Sequence, residues 1–147
     1  VFVLNKQIEM HGRCGNIKHA AQIFHGMAKR DKFSWDLLLV AFCKNGHFDE
    51  ARRLFSCMPD VFDSFEEMKI VEMPDDSCFT LVLMASSQVG EPNVGGSYFN
   101  SMRLDYGVAA RKQHYCCIVD MLGRAGYLHA AEELVQTMPF LPNSWDW

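Results

Sequence analysis

The stretch Gly15-Asn16-Ile17-Lys18-His19-Ala20-Ala21-Gln22-Ile23-Phe24-His25-Gly26-Met27 occurs four times, in altered form, within 147 residues. It returns as Gly46 with Ala51, Phe55 and Met58, as Gly90 with Gly95, Phe99 and Met102, and as Gly126 with Ala130, Val135 and Met138. In every copy a methionine stands 12 residues after the glycine, an aromatic residue or valine stands nine after it, and a small residue lies near the fifth position. Self-similarity at a spacing of about 20–50 residues is the signature of a repeat architecture.

The apolar positions follow the glycine at intervals of three and four, so they share one face of a 3.6-period helix. The small residue admits a close neighbour, and the phenylalanine and methionine fill space beyond it. Counting back from each glycine exposes a second helix. Eleven before it stand Leu4, Trp35, Phe79 and Tyr115; seven before it, Ile8, Leu39, Leu83 and Val119; four before it, His11, Phe42, Ser86 and Leu122. Each unit is therefore a helical hairpin whose glycine supplies left-handed or tight backbone at the turn. One hairpin cannot bury both faces, so the pattern predicts an all-α fold, an α-solenoid of about four helical hairpins.

The turn glycines are 31, 44 and 36 residues apart. The units run over 1–31, 32–75, 76–111 and 112–143, and 144–147 are expected to begin a further helix. The longer second unit is read as carrying an insertion of about ten residues near 59–68, because Phe65-Glu66-Glu67-Met68 echoes Phe55-Ser56-Cys57-Met58 and repeats accept insertions at their edges. Asn16 is expected to cap the second helix of the first unit. Asp49 and Glu50 suit the positive end of a helix, and Pro74-Asp75-Asp76-Ser77 reads as a turn and N-cap. Pro92 belongs in a first turn, and the Gly95-Gly96 pair weakens its helix while permitting close packing.

Composition excludes several classes. A net charge of −4 and a pI near 5.8 argue against indiscriminate binding to nucleic acid or anionic membrane, though they leave room for a local basic stripe. No apolar run approaches the roughly 20 residues that span a bilayer, so no membrane partner is expected. The start at Val1 shows no targeting leader. The six cysteines form no Cys-x-x-Cys pair and read as reduced, buried side chains. The six histidines have no zinc spacing, and His129-Ala130-Ala131-Glu132 reads as a solvated helix surface. With no nucleophile elbow, phosphate loop or general-base cluster, the sequence predicts no catalytic residue, no metal, no cofactor and no small-molecule substrate.

Certain phrases go further. They are Arg13-Cys14-Gly15, Arg30-Asp31 with Ser34-Trp35, His114-Tyr115, Val119-Asp120-Met121-Leu122-Gly123-Arg124-Ala125-Gly126, and Met138-Pro139-Phe140. Through these the whole chain resembles the plant organellar pentatricopeptide repeat family, in particular its PLS class. The units look like short, standard, long and short repeats leading into the family's C-terminal extension, so the chain reads as a fragment of a longer protein.

The resemblance implies binding of single-stranded organellar RNA, one base per repeat, in a mitochondrion or chloroplast, with other RNA-editing factors as further partners. It implies a role in C-to-U editing or transcript processing as the specificity factor. Carried over, the base-reading pairs are Asn5 with Asp31, Asp36 with Asp75, Thr80 with Arg111, and Cys116 with Asn143. The first matches a family combination that favours uracil over cytosine, since an amide can donate and accept while a carboxylate orients it. Asp36 with Asp75 offers only acceptors and implies like-charge repulsion. Arg111 replaces the usual small polar partner, and Cys116 is a poor hydrogen bonder. The stacking column, 13 before the glycine, holds Phe2 and Phe33, then Ser77 and Gln113. The phosphate column, two before it, holds Arg13, Lys44, Gln88 and Arg124. Two alternatives stand beside this reading: a tetratricopeptide-like helical-repeat scaffold for protein partners, and a degenerate copy that no longer binds RNA. The turn glycines and variable unit lengths speak against the scaffold, while the insertion and the irregular pairs support the degenerate copy.

Overall fold

A computed structural model describes residues 1–58 and 74–140. The insertion read near 59–68, Asn143 of the fourth pair and the helix start at 144–147 lie outside the described residues. Eight helices form the described chain: α1 (Phe2–Arg13), α2 (Ile17–Gly26), α3 (Lys32–Lys44), α4 (Phe48–Ser56), α5 (Asp76–Val89), α6 (Pro92–Leu104), α7 (Lys112–Arg124) and α8 (Leu128–Thr137). Among the described residues there is no strand. The fold is all-α, built of helical hairpins of the α-solenoid class. Two compact units divide it, Val1–Cys78 and Phe79–Trp147. No helix is long and apolar enough to cross a membrane, among the described residues.

The turn glycines explain the hairpins. Gly15, Gly46, Gly90 and Gly126 have φ of 75°, 79°, 76° and 83°, a region that costs an L side chain roughly 1–2 kcal/mol. After each of them the next amide turns back to a carbonyl five residues earlier: Asn16 to His11, His47 to Phe42 and Tyr127 to Leu122 at 2.9 Å, and Glu91 to Ser86 at 3.4 Å. These bonds satisfy carbonyls that the helix end would otherwise orphan. Asn16 holds the N-cap position of α2, but its side chain makes no capping bond. The backbone bonds of the turn fix that helix start instead. Asp49 and Glu50 do lie in the first turn of α4, and Pro92 opens α6.

In the first unit α1 packs on α2 and α3, and α3 packs on α4 and α2. Ile8, Ala20, Leu38, Leu39 and Ala51 are wholly buried, and Phe24 and Met27 nearly so. Burying a side chain such as Phe24 stabilises by about 1.5–3 kcal/mol. Gly12 sets the closeness of α1 to α3, because a Cβ there would lie 2.7 Å from the Ala41 Cβ. In the second unit α7 packs on α6 and α8, with Phe79, Val82, Leu83, Met102 and Met121 in the core. Gly95 lets the Met121 thioether and Ser86 approach, and a Cβ at Gly95 would collide with the former. The small residue of the fourth copy is Ala131, which is buried; Ala130, one position earlier, is exposed. A helix turns 100° per residue, so a one-residue error moves a side chain off the packed face. Two cysteines also depart from the expectation of burial. Cys14 and Cys57 are exposed, Cys43 and Cys78 are buried, and Cys116 and Cys117 are half-buried. Cys14 and Cys57 each sit at a helix C-cap, where the packed face has ended. His129 and Glu132 are exposed.

Candidate nucleic-acid interface

The candidate base-reading residues stand ten before each turn glycine, on the first helix of each hairpin. Of their partners, the last residues of the units, Asp31, Asp75 and Arg111 stand at the N-cap of the next first helix. At the first junction Asp31 caps α3: its Oδ1 accepts from the Ser34 amide at 2.8 Å and from Ser34 Oγ at 2.7 Å, and Ser34 Oγ in turn accepts from the Asp31 amide at 3.3 Å. Asn5 joins this box. Its Nδ2 donates to Asp31 Oδ1 at 3.1 Å, and its Oδ1 lies 2.7 Å from Ser34 Oγ, a donor. Asn5 is 3% exposed, so its amide is oriented and largely enclosed. Burial works to raise the Asp31 pKa, but the bonds from Ser34 and Asn5 outweigh it and hold the carboxyl below its ordinary value.

The second junction repeats the plan with other chemistry. Asp75 caps α5, its Oδ1 accepting from the Ser77 amide at 3.0 Å and the Cys78 amide at 3.1 Å. Asp36 Oδ1 accepts from the Cys78 thiol at 2.9 Å. Lys32 stands between the two carboxylates and offsets the expected like-charge repulsion. Its Nζ lies 2.7 Å from Asp36 Oδ2 and 2.6 Å from Asp75 Oδ2. Two attractions at contact distance outweigh the longer-range repulsion between the anions.

The third junction, in the second unit, uses a histidine. The Arg111 amide donates to His114 Nδ1 at 3.0 Å. That leaves the ring proton on Nε2, which faces Thr80 Oγ1 at 3.0 Å. Gln113 Nε2 donates to the same hydroxyl at 3.2 Å. His114 is wholly buried. In the fourth pair Cys116 is half-buried.

One position unites these junctions, and the sequence does not give its role. The third residue of the first helix, Ser34, Cys78 or His114, contacts both the N-cap before it and the candidate base-reading residue of the preceding hairpin. The signal was present as a cap followed three residues later by a polar partner, Asp31 to Ser34, Asp75 to Cys78 and Arg111 to His114. Lys32 carried no such signal.

Of the stacking column, Phe2 is 74% and Phe33 is 52% exposed; Ser77 and Gln113 are exposed too. Arg13, Lys44 and Arg124 are exposed. Arg13 and Lys44 line one small crevice between α1 and α3, floored by Gly12, Leu37, Val40 and Ala41. Arg13 pairs with Glu9 at 2.9 Å and Arg124 with Asp120 at 2.9 Å. Asp120 also accepts from Ser87; burial works to raise its pKa, but these bonds keep it below the ordinary value.

Comparison with known proteins agrees with this organisation. A profile of the PPR repeat matches residues 33–61 and 114–140. Pentatricopeptide repeat-containing protein At2g13600 of Arabidopsis thaliana is 37% identical over 147 residues, which is 100% of this chain and 20% of that protein. The Arabidopsis thaliana protein At1g59720, named chloroplastic/mitochondrial, is 36% identical over 147 residues, 100% of this chain and 22% of its own length. At1g05750 of the same plant, named chloroplastic, is 39% identical over 143 residues, 97% of this chain and 27% of its own length. The chain thus spans between a fifth and about a quarter of these relatives. Proteins of this kind are generally RNA-binding. The chain belongs to the pentatricopeptide repeat family.

Proposed function

We propose that the chain is a sequence-selective single-stranded RNA-binding module of an organellar protein of the PLS class, acting as a specificity factor in C-to-U editing or transcript processing while the catalyst lies elsewhere. The observation that carries this reading is the recurrence of one polar junction three times with three chemistries, Asn5–Asp31–Ser34, Asp36–Asp75–Cys78 and Thr80–Arg111–His114. Each junction holds a different polar side chain, Asn5, Asp36 or Thr80, in a fixed orientation, as a device that reads different bases requires. Exposed Phe2 and Phe33 supply platforms on which bases gain about 1–3 kcal/mol each regardless of identity. Discrimination then falls to the polar junctions. Location in a mitochondrion or chloroplast is carried by the organellar names of several relatives.

Affinity measurements test the reading. Two of the three candidate phosphate cations already hold carboxylates, so the log–log salt slope for single-stranded RNA should lie between about −1 and −2, from roughly 0.7 per contact. Tighter binding to double-stranded DNA than to single-stranded RNA overturns the proposal. A protein-scaffold reading keeps one observation in its favour. A cleft of 390 Å³ in the first unit is lined by Phe24, Trp35, Phe42, Leu54 and Cys57 together with His25, Arg30, Glu50 and Arg53.

A further inference from the structure

Lys32 opens α3 and lies in none of the three columns carried over from the family. Its ammonium nevertheless bridges Asp36 at 2.7 Å and Asp75 at 2.6 Å, and its side chain is only 18% exposed, against 26% and 48% for the two carboxylates. A carboxylate offers about four acceptor positions. Lys32 and the Cys78 thiol occupy two of those of Asp36, so Asp36 keeps acceptor capacity. We propose that Lys32 is a specificity-determining positioning residue: by bridging Asp36 to Asp75 it fixes a face of acceptor oxygens, and the second junction thereby selects guanine or uracil over adenine or cytosine.

The chemistry rests on the ring nitrogen at the Watson–Crick edge. Guanine and uracil carry an imino N–H there, which an ionised carboxylate accepts. Adenine and cytosine present a bare lone pair at that place, which a carboxylate repels. Without the cation between them the two carboxylates repel each other, Asp36 is no longer held against Asp75, and the selection weakens. Among the described residues the groups joined in this cluster are Lys32 and Asp36 of α3, Asp75 before α5 and Cys78 within it. Burial works to lower the Lys32 pKa, yet the bonds to Asp36 and Asp75 raise it above the ordinary lysine value. Burial and the Asp36 hydrogen bond raise the Cys78 thiol, so it stays an S–H donor.

This inference rests on the RNA-binding reading and is separable from it. Fluorescence anisotropy on the 147-residue chain, with short single-stranded RNAs varied one base at a time, identifies the position whose preference Asp36→Asn alters. There the native chain should prefer guanine or uracil by about tenfold. Lys32→Met should lose most of that preference, and Lys32→Arg should keep it. Preferences at the first junction should not change. Circular dichroism checks the fold, and Lys32→Gln replaces the methionine variant if helicity is lost. Native preference retained by the uncharged variant overturns this inference alone. Absence of any RNA binding by the native chain overturns the RNA-binding reading itself.

Discussion

Replacing Asn5 by alanine removes two hydrogen bonds from a site that is 3% exposed. One runs to a carboxylate, Asp31 at 3.1 Å, and one comes from the Ser34 hydroxyl at 2.7 Å. Net contributions of about 1.5–3 kcal/mol for a charged partner and 0.5–1.5 kcal/mol for a neutral one set the upper range. The remaining partners limit the loss. Ser34 Oγ can donate wholly to Asp31 Oδ1 at 2.7 Å, and Asp31 keeps the Ser34 amide at 2.8 Å, so neither is orphaned. Dehydration of the amide, costly on folding, is also relieved. The balance is a destabilisation of about 2 kcal/mol. With a urea m-value near 2 kcal/mol/M, the unfolding midpoint followed by far-UV circular dichroism at pH 7 should fall by about 1 M. From the sequence alone Asn5 is expected to read a base without affecting stability; its burial makes it both an oriented polar group and part of the fold. A midpoint unchanged by Asn5→Ala would show that these bonds contribute nothing, and the junction would lose its claim to hold the residue in place.

Three further outcomes follow from other parts of the molecule. Gly12→Ala should destabilise by about 1–3 kcal/mol, because its Cβ meets the Ala41 Cβ at 2.7 Å and α1 must move. Gly96→Ala has nothing within 4 Å and should stabilise by about 1 kcal/mol through helix propensity; equal effects on urea midpoints would refute the packing described. Asp31, Asp75 and Asp120 have pKa values held below the ordinary 3.8. A depressed carboxyl contributes stability above its unfolded pKa and loses it as pH falls through the folded pKa, so urea midpoints should stay flat from pH 8 to 5 and drop below about pH 4.

Much of this was legible in the residues. A glycine followed at fixed distance by a small residue, an aromatic and a methionine can only mean a hairpin turn, and the positive φ at Gly15, Gly46, Gly90 and Gly126 is the physical reason the glycine recurs. Local patterns carried that information because each acts within one turn of helix. The junction chemistry was not legible in the same way. Lys32 lies 43 residues from Asp75, and nothing in its neighbourhood marks it as a bridge between two carboxylates. The place of Ser34 beside Asn5 depends on how α3 packs against α1, which no single-helix pattern contains. Ala131 was missed for Ala130 by one position, since two adjacent alanines look alike until one is buried. Asn16 was read as a side-chain cap on residue type alone, where the glycine turn already satisfied the backbone.

The most direct test is selection of a randomised single-stranded RNA pool on the purified chain, run in parallel on a variant carrying Asn5→Ala and Asp36→Ala. The account predicts that the native chain enriches a short motif with uracil favoured over cytosine at one position and guanine or uracil favoured at its neighbour. The variant should retain weak binding through stacking and phosphate contacts but lose both preferences. Enrichment of the same motif by both proteins, or of none by either, would contradict the claim that the junctions between hairpins read bases.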